Sequence, residues 1–330
     1  MKGIVVIGLG SMGRRRIRLL KTMGKDISIY GVDNNAERCQ KASEEFGIAT
    51  YASLRDVLQR TNQGLEAAVI STSPLSHAVI IRECLDANLH VFTELNLVSD
   101  QYADNIRKAK EKGRVLFLSS TFLYRDEVQY IQEQVKNCPS KVSYTYHVGQ
   151  YLPDWHPWEN YRDFFVGDKR TNGCRELFAI ELPWLQKTFG PVASYEIFKD
   201  KRTALNIEYP DTYHMLLWHE SGTLGSLQVD VISRKPVRNL EVYGESMYLA
   251  WDGTPTGLSR YNITEKKEEK IFLYNEIQHM DGYSAFVIEN AYQNELAAFF
   301  EEISGQTAAK YSFEDDLKTI KLMDAIEGIL

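Results

Sequence analysis

Ile4-Val5-Val6-Ile7-Gly8-Leu9-Gly10-Ser11-Met12-Gly13, answered by Asp33, is the stretch whose reading decides the fold. The apolar run over residues 2–7 suits a strand buried on both faces. The Gly8-x-Gly10-x-x-Gly13 spacing lets the chain turn tightly and approach a diphosphate before a helix begins. Ser11 and Met12 open that helix, whose N-terminal amides then face the phosphates. Residues 14–23 continue as helix, and residues 27–32 supply a second strand that ends at Asp33, twenty positions after Gly13. A carboxylate there accepts hydrogen bonds from the adenosine 2′-hydroxyl and repels a 2′-phosphate. The next residues are Asn34 and Asn35 rather than arginines, so NAD is expected over NADP, with Asn34 among the cofactor residues. Glycine-rich turns also occur where nothing binds; strand, turn, helix and acid together carry the dinucleotide reading.

At 330 residues the chain is long enough for two domains with real cores, and its 44% hydrophobic and 25% charged residues are those of an ordinary globular protein. A net charge of −7 with interspersed signs argues against nucleic acid as a partner, and the mixed run over residues 265–270 reads as a solvated hairpin. The chain enters a strand at once, leaving no room for a charged leader and apolar signal region. No apolar run approaches the length of a membrane span, so a cytoplasmic protein is expected. Cys39, Cys84, Cys138 and Cys174 stand far apart, without CxxC pairs, and are read as free thiols, with Cys174 a small buried apolar residue. The seven histidines form no HExxH pattern, and His214 and His219 differ by an odd number and point to opposite faces of a strand; no metal site is expected.

The first ~120 residues alternate strand and helix as a doubly wound parallel sheet requires. Helices are expected at 36–46, 54–59, 76–87 and 99–112, the last capped by Ser99. Strands are expected at 49–51, 67–71, 90–94 and 115–119. Beyond them come a helix at 126–137 and long alternating segments: Val142, Tyr144, Tyr146 and Val148 share one strand face, and alternation recurs over residues 195–242 with a turn at Ser221-Gly222. Helices at 285–303 and 313–329 end the chain. The fold class is α/β: an N-terminal doubly wound Rossmann domain, residues 1–121, followed by an α+β domain, residues 122–330, with a large, open, mostly antiparallel sheet. The second domain is given substrate binding and oligomerisation, with its last helices able to pack back on the first.

In a doubly wound sheet, ligands gather at the carboxyl ends of the strands, so the loops after the strands ending near Ser71 and Glu94 should border the nicotinamide half of a cofactor. Ser71, Thr72 and Ser73, with His77 one turn into the following helix, offer polar groups there; Ser73-Pro74 is equally a helix cap. Glu94 ends an apolar strand, a costly place for a carboxylate unless it is hydrogen-bonded or at the sheet's edge.

These residues, together with His90-Val91-Phe92-Thr93-Glu94-Leu95-Asn96, resemble the glucose–fructose oxidoreductase, inositol dehydrogenase and rhizopine-catabolism oxidoreductases over essentially the full chain. In that family the last segment usually reads Glu-Lys-Pro, and its lysine contacts nicotinamide and substrate. Leu95 and Asn96 stand there instead. The family's second motif, a glycine-rich turn opening a helix with an acid, a histidine and a further Asp, is matched to residues 173–184. The histidine falls on Ile180 and the Asp on Pro183. A hydride leaving an alcohol carbon requires its hydroxyl proton to go elsewhere, and Leu95 and Ile180 can neither relay nor polarise it.

The polar segment over residues 150–163 connects the first long strand to the motif helix. Trp155 or Trp158 can stack on a carbohydrate ring, while Asp154, Tyr161 and Arg162 bind hydroxyls or a charged group; a rigid structural loop is the plain alternative. For proton transfer the candidates are His156, Tyr161, Asp154 and Glu181, with Lys169 and Arg175 able to stabilise an anion. His156 alone has an ordinary pKa near neutrality. Arg175 and Glu176 can also simply pair near the helix start. The first reading is an NAD-dependent oxidoreductase acting on a hydroxyl or keto group of a carbohydrate or sugar nucleotide. The second is a cofactor-bound sugar sensor that has lost the chemistry. The resemblance implies a homodimer or homotetramer formed through the C-terminal sheet.

Overall fold

The computed structural model describes residues 3–24, 27–61, 64–155, 160–280 and 282–329. The chain divides into two compact units, Met1–Ser120 with Tyr292–Ile320, and Thr121–Ala291 with Lys321–Leu330.

In the first unit six parallel strands alternate with helices: β1 (Gly3–Ile7), α1 (Ser11–Met23), β2 (Ile29–Val32), α2 (Ala36–Phe46), β3 (Ala49–Tyr51), α3 (Leu54–Arg60), β4 (Leu65–Ile70), α4 (Pro74–Asp86), β5 (His90–Thr93), α5 (Tyr102–Lys112) and β6 (Leu116–Leu118). The sheet order β3-β2-β1-β4-β5-β6 reverses between β1 and β4, so the turns after these two strands, at Gly8 and Ser71, face the switch point where such sheets bind ligands. Ile4, Val5 and Val6 are almost wholly buried, as an apolar run covered on both faces must be. Phe92 and Phe117 stack at 5.3 Å, and Phe299 meets both edge-on at 5.7 Å. One local expectation is corrected. Helix α5 begins at Tyr102 behind Gln101, whose φ is +56°, and Ser99 contributes its backbone carbonyl to the Tyr102 amide rather than a side-chain cap.

The second unit holds α6 (Asp126–Asn137), β7 (Val142–Gly149), α7 (Gly173–Phe189), β8 (Val192–Asp200), β9 (Thr212–His219), β10 (Leu224–Asp230), β11 (Val237–Gly244), β12 (Met247–Trp251), β13 (Ser259–Asn262) and β14 (Lys267–Lys270). These strands form one sheet in the order β14-β13-β12-β11-β7-β10-β9-β8, antiparallel except where β7 runs parallel to β10. The fold class is therefore the expected one: a parallel Rossmann-type sheet and a large, mostly antiparallel second sheet. Helices α8 (Glu289–Ile303) and α9 (Phe313–Glu327) close the chain, and the division between units falls within both.

Period-two alternation sorts the second sheet's faces. Val142, Tyr144, Tyr146 and Val148 are buried on the inner face, against which α7 packs; Trp184 meets the Tyr146 ring edge-on at 5.6 Å. On the opposite face the register aligns Trp218, Leu224, Ser143, Tyr243 and Tyr248 across five strands. The four large side chains in that row are exposed, as are Leu216 and Phe198 beside it.

Candidate active site

In the first unit the three motif glycines answer three different constraints. Gly8 has φ +92°, and a Cβ on it would fall 2.6 Å from the Ser71 carbonyl oxygen. A Cβ on Gly13 would lie 1.8 Å from the Gly8 carbonyl oxygen, so only glycine lets α1 pack against the turn. A Cβ on Gly10 would meet nothing within 4 Å: the space beside it is open, as close approach of a diphosphate requires. Gly10 is also the N-cap of α1 and has no side chain to cap it, and the first turn carries no acid, which suits an anion at that helix end. Ser11 is exposed and Met12 half-buried beside it.

Asp33 is buried at the end of β2. Its Oδ2 accepts from the Leu9 amide and its Oδ1 from the Asn35 amide, both at 2.8 Å, and each oxygen keeps acceptor capacity for a diol. Asn34 is exposed. Arg38, five positions beyond Asp33, is a cofactor candidate that no motif in the sequence marks. The first turn of α2, capped by Asn35, brings its Nη1 to 3.9 Å from Asp33 Oδ2. After β4, Ser71 Oγ is buried without a hydrogen-bond partner, which suits a polar ligand atom. Thr72 is half-buried with its hydroxyl 2.8 Å from that of Ser76, and Ser73 is exposed. These features fit an adenine dinucleotide.

His77 and Glu94 are occupied by protein. Nε2 of His77 faces the Thr72 carbonyl at 3.0 Å and Nδ1 faces Asn96 at 2.7 Å. Burial pushes the imidazole pKa down, against those two bonds. Glu94 accepts from Arg16 through both oxygens, at 2.7 and 3.2 Å, which meets the cost of ending an apolar strand on a carboxylate. Arg16, fully buried, also donates to Glu295 at 2.7 Å, and burial raises the Glu295 pKa against the pull of Arg16. Leu95 is half-buried.

In the second unit the motif helix α7 carries two acids, Glu176 and Glu181. Asn172 caps it, accepting from the Arg175 amide at 2.7 Å. The Arg175 side chain turns into the C-terminal segment, donating to Asp324 at 2.6 Å and pairing with Glu327, so it does not pair with its neighbour Glu176. Glu181 is fully buried: Oε2 accepts from the Tyr146 hydroxyl and from Trp184 Nε1, both at 2.7 Å, and Oε1 from Arg238 Nε at 2.9 Å. Burial holds the Tyr146 phenol far above its ordinary range, and Glu181 adds to this.

Glu176 is the acid that sequence reasoning missed. The residue is partly exposed, but its Oε2 is buried with no hydrogen-bond partner. Burial pushes its carboxyl up to about 7, against the pull of Arg238. Such a carboxyl sits where a group must be to exchange a proton near neutral pH.

Of the loop candidates, Trp155 is half-buried, donates Nε1–H to the Gln150 carbonyl at 2.9 Å and lies against Gly173 at the start of α7. The Tyr161 hydroxyl accepts from the Asn206 amide at 3.1 Å. Asp154, Arg162 and Lys169 are exposed. His156 and Trp158 lie outside the described residues. Ile180 is half-buried on α7 and, like Leu95, bears no proton-exchanging group. Among the described residues no group of three or more His, Cys, Asp or Glu is placed to hold a metal, and no helix is long and apolar enough to cross a membrane.

Residues 2–120 match the family model described as "Oxidoreductase family, NAD-binding Rossmann fold". Biliverdin reductase A of Homo sapiens is 29% identical over 137 residues, and its Mus musculus counterpart 30% over 138. Each match spans 40% of this chain and 44% of the relative, less than half of either protein. Among solved structures, an oxidoreductase from Agrobacterium radiobacter in complex with NAD+, L-tartaric acid and magnesium superposes with TM-score 0.80 at 16% identity, covering 98% of this chain and 94% of that one. The WlbA dehydrogenase from Bordetella pertussis in complex with NADH and UDP-GlcNAcA gives 0.74 at 18% identity over 98% and 94%. A levoglucosan dehydrogenase complex with NADH and levoglucosan gives 0.79 at 14% over 98% and 96%. At these identities the likeness concerns the fold.

Proposed function

We propose, from the premise that this chain belongs to the Gfo/Idh/MocA oxidoreductase family through its NAD-binding domain, residues 2–120, that it oxidises or reduces a hydroxyl or keto group of a carbohydrate or sugar nucleotide with NAD(H). Bound NAD supplies a nicotinamide ring that takes up or gives back a hydride. The rest of the chemistry belongs to side chains. Gly8, Gly10, Gly13, Ser11 and Met12 hold the diphosphate, Asp33 holds the adenosine diol, with Asn34 at its rim, and Ser71, Thr72, Ser73 and Leu95 line the nicotinamide end. Glu94 and His77 support that end from behind.

Glu176 carries the proposal. With its neighbour Arg175 taken by Asp324 and Glu327, and Arg238 by Glu181, it is left as a buried carboxyl near its midpoint at neutral pH. In oxidation it takes the substrate hydroxyl proton on Oε2; in reduction it returns that proton to the carbonyl oxygen. We place it ahead of His156, Tyr161 and Asp154, and treat Glu181 as the carboxylate that orients Arg238. Trp155 and Trp158 provide the stacking surface, with Arg162 and Lys169 at the rim for an attached charged group and Arg175 fixing the helix start.

The first unit binds cofactor and the second binds substrate and builds the oligomer. The exposed row of Trp218, Leu224, Tyr243 and Tyr248, with Leu216 and Phe198 alongside, supports a homodimer or homotetramer packed sheet to sheet. Four free cysteines support a reducing, cytoplasmic compartment.

A change in nicotinamide absorbance on mixing protein, NADH and a panel of keto-sugars and sugar nucleotides tests the reading. The half-buried Leu95 and Ile180 favour one rival, a sugar sensor without turnover. Tight NADH retention with no oxidation across the panel would establish it.

A further inference from the structure

The loops after β4 and β5 are joined by a pair of buried side chains. His77 on α4 is 1% exposed and Asn96, two residues beyond Glu94, is 3% exposed. The Thr72 carbonyl, 3.0 Å from His77 Nε2, can only accept, so Nε2 carries a proton. Burial favours the neutral ring, and a neutral ring protonated at Nε2 presents only a lone pair at Nδ1. That lone pair needs a donor. The Asn96 side chain lies 2.7 Å away, and with its Oδ1 turned towards the ring its Nδ2 is buried without a partner. Turning the amide over pairs Nδ2 with the Nδ1 lone pair and puts Oδ1 in the place Nδ2 had left. Tyr102, the other polar side chain beside Asn96, gives its own proton to Asp316 Oδ2 at 2.5 Å, so its hydroxyl has no proton left for the ring.

We infer that the Asn96 amide donates to His77 Nδ1, holds the ring in its Nε2–H form and so locks the Ser71–Thr72–Ser73 loop to the Glu94–Leu95–Asn96 loop. His77 and Asn96 are then positioning residues for the nicotinamide end of the cofactor. The inference rests on the proposed cofactor site, because the first loop follows β4, which borders the switch point, and the second follows its neighbour β5. It explains why a histidine in this place gives no ring nitrogen to a ligand: both are spent holding two loops at a fixed spacing.

The test uses the full chain, labelled with 15N-histidine, with the His77 signals identified by their loss in His77→Gln. At neutral pH the ring should show a protonated Nε2 and a bare, hydrogen-bonded Nδ1. In Asn96→Asp, which has nearly the same volume but can only accept, Nδ1 should become protonated. Asn96→Leu, which leaves Nδ1 without a donor, should weaken NADH binding measured by calorimetry about tenfold. A wild-type ring protonated at Nδ1 and bare at Nε2 would overturn the inference, as would Asn96→Leu and Asn96→Asp that both bind NADH like wild type. Failure of wild-type protein to bind NADH at all would instead remove the proposed cofactor site, whatever the ring signals show.

Discussion

Arg238 on β11 donates Nε–H to Glu181 Oε1 on α7 at 2.9 Å, and the same guanidinium pulls the Glu176 carboxyl pKa down against burial. An arginine spent on a buried carboxylate neutralises its neighbour only weakly, and burial then dominates at Glu176. Replacing Arg238 by Met should therefore raise the apparent pKa governing turnover above its wild-type value. It should also cost about 3–5 kcal/mol of stability by leaving Glu181 buried without its cation. The rate–pH profile and a urea melt measure the two effects separately.

Glu176→Gln keeps shape and removes proton exchange. Turnover should fall by about 10²–10⁴, while NADH affinity stays as in wild type. The limb of the profile near pH 7 should vanish. Linkage gives a second readout. The folded pKa is raised above 4.5, so the favourable contribution of the protonated group is complete below about 4.5 and is lost as pH rises through about 7. The variant should accordingly resist urea better than wild type above pH 7, relative to their difference at pH 4.5. An unchanged turnover number would assign the proton to another group, and His156→Ala is the next variant to assay.

On the proposed cofactor site, Asp33 and Arg38 together should set the choice between NAD and NADP. Asp33→Ser removes the charge that repels a 2′-phosphate and leaves Arg38, 3.9 Å from the lost carboxylate, to receive it. The ratio of kcat/KM for NADP over NAD should rise by at least about tenfold, a change worth ~1.4 kcal/mol. A ratio that stays at its wild-type value would mean that Arg38 takes no part.

Arg16 is fully buried between Glu94 and Glu295. Arg16→Met strands two carboxylates in the interior, and a loss of about 3–5 kcal/mol is expected by chemical denaturation. Part of that loss should be regained at acid pH, where the carboxylates protonate.

Trp218 and Leu224 are neighbours in register on the exposed sheet face. A Trp218→Glu, Leu224→Lys double variant should sediment as a monomer while keeping its secondary structure. A wild-type chain that already sediments as a monomer would remove the proposed interface.

The parallel sheet was legible because its signals are local. Helix α2 and strand β3 run over the residues that periodicity marks, and the three glycines are demanded by backbone geometry within a few residues of each other. Element ends were less legible. Ser99 looks like a cap, yet Gln101 adopts a left-handed conformation and delays α5 to Tyr102, because the path of the chain there is set by packing. The second sheet was legible as alternation, but not the parallel pairing of β7 with β10, which depends on which distant strands meet.

The candidate residues of the second unit divide in the same way. Glu181 was singled out for its place in the motif helix, and Arg175 as an anion binder, because sequence shows residue types and spacing but not partners. Arg175 finds its acids 149 and 152 residues away, and Glu181 finds Arg238 57 residues away. Charge chemistry depends on distance in space and on exclusion of water, and neither can be read along the chain. The sequence by itself settled a dinucleotide turn, an acid at the end of β2 and two layers of sheet, since each follows from neighbours in the chain. Which carboxyl burial pushes up to about 7 emerges only once the fold has taken Glu176 Oε2 out of water.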